Sequence, residues 1–221
     1  MLRVAVLASG RGSNFVALLE ASRAAGAQFN VVGVYSDRAD AGALKLAADA
    51  GLDTAHLDPR AYADRVGFDL ALFERVLQVQ PDLIVCAGYM RIISANALAR
   101  LDVPMINIHP SLLPRYPGLN THARALAAGD AEHGASVHVV TPELDAGPVI
   151  AQARIPIGHN DDAESLAARV LEQEHRLLPA CVALYAKGQL QLDHAHVHLN
   201  GVQLSAPLQL HDGHLLLSEY T

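Results

Sequence analysis

The chain has 221 residues, 51% of them hydrophobic, and a formal charge of −7 at pH 7; its mean hydropathy is +0.20 and its isoelectric point lies near 5.9. Such a composition specifies a compact globular protein, and the length suits one large domain or one domain with an appendage. It excludes non-specific nucleic-acid binding, which needs a basic surplus, and a membrane helix, which needs a longer apolar run than any present.

The chain begins Met1-Leu2-Arg3-Val4-Ala5-Val6-Leu7. This moves directly into a strand-like run and lacks the apolar core and small-residue cleavage site of a signal peptide. Cys86 and Cys181 are far apart and in apolar surroundings, so a reduced, disulfide-free, cytoplasmic protein is expected. Strands are expected over residues 3–8, 30–35, 82–87 and 105–109, with a shorter one near 54–57. Helical patterns lie near 14–25, 40–50, 61–79 and 92–100. Val4-Ala5-Val6-Leu7 and Leu83-Ile84-Val85-Cys86 are apolar at every position, which suits strands covered on both faces of a parallel sheet. The alternation predicts an α/β fold, doubly wound around a mostly parallel sheet.

Further strands follow at 135–140 and 149–157, and 162–187 reads as a long amphipathic helix. From Gln189 the pattern changes to period two in Leu190-Gln191-Leu192, His196-Val197-His198-Leu199 and Val202-Gln203-Leu204 around Asn200-Gly201. An Asn-Gly pair between alternating runs is a hairpin signal. The expected organisation is therefore a domain over 1–188, with 189–221 a C-terminal β-hairpin forming an antiparallel edge extension of it.

Three features carry chemistry. Ser9-Gly10-Arg11-Gly12-Ser13-Asn14 lies between the first strand and first helix. Its glycines allow a tight turn and close ligand approach, and a helix start offers amides to a phosphate. The spacing matches neither a dinucleotide fingerprint nor a P-loop, and a plain turn capped by Ser13 or Asn14 is the competing reading. The second feature is Asn107-Ile108-His109-Pro110, which ends a strand with Asn107 and His109 on one face, at the strand end where open α/β sheets place ligands. With Asp145 it supplies an oxyanion donor, a proton carrier and a carboxylate to orient the ring. No Ser or Cys stands in a nucleophile elbow, so direct attack by a substrate nucleophile is preferred over covalent catalysis. The third is an excess of histidine, 12 in all. His194, His196 and His198 share a strand face, with His211 and His214 beyond. No Cys pair or His-Glu-x-x-His accompanies them, so a solvated face is expected rather than a zinc site. His138 in mid-strand, and His122, His133 and His175 in polar contexts, default to packing or surface roles.

Taken in order, Ser9–Asn14, Ala87-Gly88-Tyr89-Met90-Arg91-Ile92, Asn107–Pro114 with Tyr116-Pro117-Gly118, and Gly134–His138 leading to Leu144-Asp145-Ala146-Gly147-Pro148 resemble the phosphoribosylglycinamide formyltransferases, a folate-dependent family of purine synthesis. The resemblance runs from residue 2 to about 187. It implies a Rossmann-like formyltransferase fold and transfer of a formyl group from 10-formyltetrahydrofolate to the amine of glycinamide ribonucleotide, without a metal. It implies that Gly12, Ser13 and Asn14 hold the ribonucleotide phosphate and Glu174 the ribonucleotide through its ribose. The folate would meet Met90, Arg91, Ile92, Ile93, Asn107 and the loop Thr141, Pro142, Glu143, Leu144 and Asp145, with Arg65 near its tail. Asn107, His109 and Asp145 match the family's catalytic set. One departure is Leu171, where the family often carries a long polar residue; leucine cannot hydrogen-bond, so that contact is lost or passes to Glu172 or Gln173. The partners implied are small-molecule substrates, for a monomer or homodimer that binds neither nucleic acid nor membrane. Formyltetrahydrofolate deformylase resembles the same core but usually carries an N-terminal regulatory domain. Methionyl-tRNA formyltransferase carries a C-terminal RNA-binding domain. A non-catalytic ribonucleotide- or folate-binding module would not need the Asn-His-Asp set.

Overall fold

A computed structural model describes residues 1–193 and 195–217; His194 lies outside the described residues. The chain forms two compact units, Met1–Asn107 and the part from Ile108 onward.

The first unit alternates strand and helix. Its elements are β1 (Leu2–Leu7), α1 (Ser13–Arg23), β2 (Phe29–Ser36), α2 (Gly42–Asp49), β3 (Asp53–His56), α3 (Arg65–Leu77), β4 (Leu83–Cys86), α4 (Ala95–Leu98) and β5, which spans Met105–His109. The strands lie in the order β5-β4-β1-β2-β3, and every pairing among them is parallel. Val4–Leu7 and Leu83–Cys86 are fully buried, as their unbroken apolar runs require. Successive strands step outward from β1 to β3, then the chain returns to the other side of β1 as β4. The carboxyl ends of β1 and β4 therefore flank a topological switch point, the crevice in which such sheets bind ligands.

Two helices differ from their sequence expectation. The pattern over 61–79 starts as a 3₁₀ turn at Pro59–Ala61, and α3 proper begins at Arg65. An aspartate precedes each: Asp58 accepts from the Arg60 N–H and Asp64 from the Gly67 N–H at 2.8 Å, each capping its own start. The pattern over 92–100 shortens to Ala95–Leu98. Side chains elsewhere hold the amides before it: the Met90 N–H donates to Ser9 Oγ, and the Ser94 N–H donates to the buried Asp69 at 2.7 Å. These bonds keep residues 88–94 as a shaped loop.

The second unit contains α5 (Thr121–Ala128), β6 (Glu132–Val139), β7 (Val149–Pro156), α6 (Ala163–Ala186) and the strands β8 (Leu190–Leu192), β9 (Val197–Leu199), β10 (Val202–Gln203), β11 (Leu208–His211) and β12 (His214–Leu216). β6 and β7 pair antiparallel, and α6 packs on both. A capping box between Asp162 and Ser165 starts α6. Among the described residues no helix is long and apolar enough to cross a membrane. The Asn200-Gly201 turn has both residues at positive φ, 50° and 80°, and joins β9 to β10. With β8 they form a separate three-stranded sheet. The antiparallel edge extension is instead β11–β12: β11 adds parallel to β7, and β12 turns back on β11 through Asp212-Gly213.

Candidate active site

In the first unit, Ser9 ties the loops after β1 and β4 together. Its N–H donates to the Gly88 carbonyl at 3.0 Å, its hydroxyl donates to Asp37 at 2.6 Å, and that oxygen accepts the Met90 N–H at 2.9 Å. Gly12 is the N-cap of α1, at φ 89°, and as glycine it supplies no side-chain cap. A β-carbon at Gly12 would lie 2.8 Å from Ala43 Cα and Cβ, so both the backbone conformation and the approach of α2 demand glycine. The amides at the start of α1 carry the partial positive charge that favours a phosphate. On the loop after β4, Met90 is 68% and Ile92 48% exposed while Ile93 is buried. The Arg91 guanidinium lies 5.0 Å from the Phe68 ring centroid. Arg65 is exposed at the start of α3, and half-buried Asn107 pairs in register with Cys86. Burial pushes the Cys86 thiol up to about 12, so it stays protonated and is no nucleophile near neutral pH.

The second unit brings His109 and Asp145 together. His109 Nε2 lies 2.9 Å from the Tyr116 carbonyl, which can only accept, so this nitrogen carries a proton. His109 Nδ1 faces Asp145 Oδ2 at 3.4 Å, and both side chains are buried. An acceptor oxygen thus lies beside each ring nitrogen of His109. The Gly118 N–H donates to Asp145 Oδ2 at 2.8 Å. Asp145 Oδ1 faces His138 Nε2 at 3.6 Å, and His138 Nδ1 donates to the Val139 carbonyl at 3.0 Å. Burial drives the His138 pKa down, opposed by the bond to Val139 and the charge of Asp145. Asp145 has φ 51°, a left-handed conformation that Asp and Asn tolerate best among side-chain-bearing residues. The turn needs Gly147 beside it, because a β-carbon there would lie 1.9 Å from the Val139 carbonyl oxygen.

A family model described as formyl transferase matches residues 2–182. The chain belongs to the formyl transferase family. The phosphoribosylglycinamide formyltransferase of Escherichia coli (strain K12) is 41% identical over 203 residues, covering 92% of this chain and 96% of that protein. The solved structure of the phosphoribosylglycinamide formyltransferase from Coxiella burnetii matches with a TM-score of 0.87 at 43% identity, over 92% of this chain and 96% of that one. Glycinamide ribonucleotide transformylase 1 from Symbiobacterium toebii gives a TM-score of 0.86 at 42% identity, over 90% and 94% of the two chains.

The remaining residues singled out in this formyl transferase fall as follows. Glu174 is buried on α6, and Leu171, one turn earlier, is half-buried. Thr141, Pro142, Glu143 and Leu144 form the loop between β6 and β7, with Leu144 half exposed. His138 is the residue that sequence reasoning passed over: a lone histidine in an apolar strand reads as packing, and only the return of this loop sets Asp145 beside it. His122 and His133 form another pair, His133 Nε2 lying 3.2 Å from His122 Nδ1. Burial and that neighbour hold the His133 pKa down at about 4. In the tail, the His196 and His198 rings lie near one another, centroids 6.2 Å apart and planes tilted by 59°. Among the described residues no cluster of three or more His, Cys, Asp or Glu gathers as metal ligands.

Proposed function

We propose that this formyl transferase moves the formyl group of 10-formyltetrahydrofolate to the amine of glycinamide ribonucleotide, in the purine-synthesis step for which its relatives are named. The observation that carries the reading is His109, held with an acceptor at each ring nitrogen and the Asp145 carboxylate at one of them. The amine attacks the formyl carbon directly. The oxyanion that develops is met by the Asn107 carboxamide and by protonated His109. As the bond from the formyl carbon to the folate nitrogen breaks, His109 passes a proton to that nitrogen, directly or through water, and the proton shed by the attacking amine restores the imidazolium, while Asp145 keeps the ring oriented and charged. Holding both substrates at once removes much of the entropic barrier.

Gly12, Ser13 and Asn14 hold the ribonucleotide phosphate in this reading, and Glu174 holds its ribose. The folate ring meets Met90, Arg91, Ile92, Ile93, Asn107 and Thr141–Asp145, with Arg65 toward its tail. The exposed apolar side chains of Met90, Ile92 and Leu144 suit a flat aromatic ring. The catalytic domain runs over 1–188, with 189–221 an extension of it, in a cytoplasmic monomer or homodimer that needs no metal.

The test incubates the purified protein with 10-formyltetrahydrofolate, with and without glycinamide ribonucleotide, and follows folate release and formylated product. Release only with the ribonucleotide, matched by product, is expected. Release at the same rate without it means that water is the acceptor, and overturns the reading in favour of a deformylase.

A further inference from the structure

The turn after β5 is gripped by a buried polar web that the roles above leave unused. Gln152, on β7 and 3% exposed, donates from its carboxamide nitrogen to the Leu113 carbonyl at 2.8 Å and to Ser136 Oγ at 3.0 Å. Ser136 lies opposite it on β6. Its hydroxyl accepts the Leu113 N–H at 3.0 Å and donates to the Ser111 carbonyl at 2.7 Å. Ser111 in turn donates its N–H to the His109 carbonyl at 2.9 Å, and its hydroxyl bonds the Arg115 carbonyl at 2.6 Å, with the Tyr116 carbonyl at 3.3 Å. That Tyr116 carbonyl is the acceptor for His109 Nε2.

The count closes. Gln152 uses both amide protons, and its oxygen accepts from Arg154 at 3.1 Å. Ser136 uses its one proton and two acceptor positions. Two facing strands pack well with apolar side chains, so a saturated polar pair inside them needs another reason. A fully satisfied buried network specifies one geometry, and the geometry specified here is the path from His109 to Tyr116. We infer that Gln152, acting with Ser136, is a positioning residue for the formyl transfer: it fixes the turn whose carbonyl holds the His109 imidazole. This rests on the role proposed for His109.

The experiment compares Gln152→Met, which keeps length and removes both donors, with Ser136→Ala and with His109→Ala. For each, kcat and KM for both substrates are measured together with the thermal midpoint and the imidazole ¹⁵N resonances. The His109 resonances are identified by their loss in His109→Ala. Expected is a fall in kcat on the order of ten- to a hundredfold, KM values near those of the unaltered protein, and a shifted His109 Nε2 resonance. Unchanged kcat per folded molecule with an unmoved resonance, and only a lower midpoint, would make the web purely structural and overturn the inference. If Gln152→Met does not fold, Ser136→Ala, which deletes a single oxygen, decides by the same readouts. Normal turnover in His109→Ala would remove the functional reading and this inference together. An inactive His109→Ala beside an unmoved resonance in the web variants removes only the inference.

Discussion

Asp145→Asn separates charge from shape at the centre of the proposed mechanism. Asparagine tolerates the left-handed conformation at φ 51° as aspartate does, so the backbone has no reason to move. Its carbonyl oxygen can replace Oδ2, keeping the bond to the Gly118 N–H and the place beside His109 Nδ1. Its amide then faces His138 Nε2, which in a neutral ring protonated at Nδ1 carries a lone pair and no proton. Only the negative charge is lost. At 3.4 Å and an effective dielectric of about 20, that charge attracts an imidazolium by at most about 5 kcal/mol. Part of this acts on the bound ground state as well, so a loss of about 3–4 kcal/mol in the transition state is expected, or a fall in kcat of about 10²–10³. Steady-state kinetics with saturating ribonucleotide and formylfolate measure it, beside a thermal melt that should match the unaltered protein. A kcat within about fivefold of normal with the fold intact would mean that the carboxylate contributes hydrogen-bond geometry alone, and the charge argument would fail.

Other expectations follow from single contacts. Asn107→Ala should lower kcat by about 10²–10³, the usual cost of an oxyanion donor, with little change in melting temperature. Gly12→Ala forces a β-carbon to within 2.8 Å of Ala43; it should weaken ribonucleotide binding more than folate binding in titration calorimetry, and equal losses would argue against a phosphate at the start of α1. Gly147→Ala would set a β-carbon 1.9 Å from a carbonyl oxygen, so the Asp145 turn must shift, and activity should collapse well beyond any loss of soluble protein. Acid should also destabilise through His133, whose folded pKa of about 4 lies below the ordinary 6.5. The unfolded chain binds the extra proton, so stability falls as pH drops below about 6.5 and levels off near 4, by up to about 3 kcal/mol. Urea unfolding of His133→Gln across that window should show a shallower loss than the unaltered protein; identical slopes would assign the acid sensitivity elsewhere.

The first unit was legible because parallel strands buried on both faces need unbroken apolar runs, and Val4–Leu7 and Leu83–Cys86 are such runs. α5 was not, since Thr121 and Ala125 are its only buried residues and no amphipathic stripe marks it. Residues in the left-handed conformation, Asn120 and Gly129, bound it instead. The β11–β12 hairpin turns at an Asp-Gly pair, but its second strand, His214-Leu215-Leu216, does not alternate as the runs around Asn200-Gly201 do. Among the residues proposed to act, Asn107 and His109 announce themselves by strand spacing and Asp145 by its glycine turn. The partners that hold them do not. Backbone carbonyls and amides such as those of Tyr116 and Gly118 carry no side-chain signal, and Ser136, His138 and Gln152 look like ordinary strand residues until the turns fold onto them.

The second unit also separates its histidines by surroundings. His122 and His133 bond one another, which requires one ring to accept, and burial lowers both pKa values. His138 lies close to the same carboxylate as His109, but its nearer oxygen is 3.6 Å away, beyond a hydrogen bond, and burial disfavours its charged form. Three of these buried or half-buried rings are thereby biased toward neutrality, and His109 has acceptors on both sides. A mechanism that needs a single proton at a single place gains from that arrangement, because a second imidazolium nearby would repel the first and offer the proton a competing position. Replacing His138 by glutamine, which stays neutral at every pH, should therefore leave most of the turnover in place. Replacing it by lysine should not: a fixed cation beside Asp145 would compete with His109 for the carboxylate, and kcat should fall toward the level of Asp145→Asn. Near-normal turnover in the lysine variant would refute the claim that one positive charge at a time is what this pocket is built to hold.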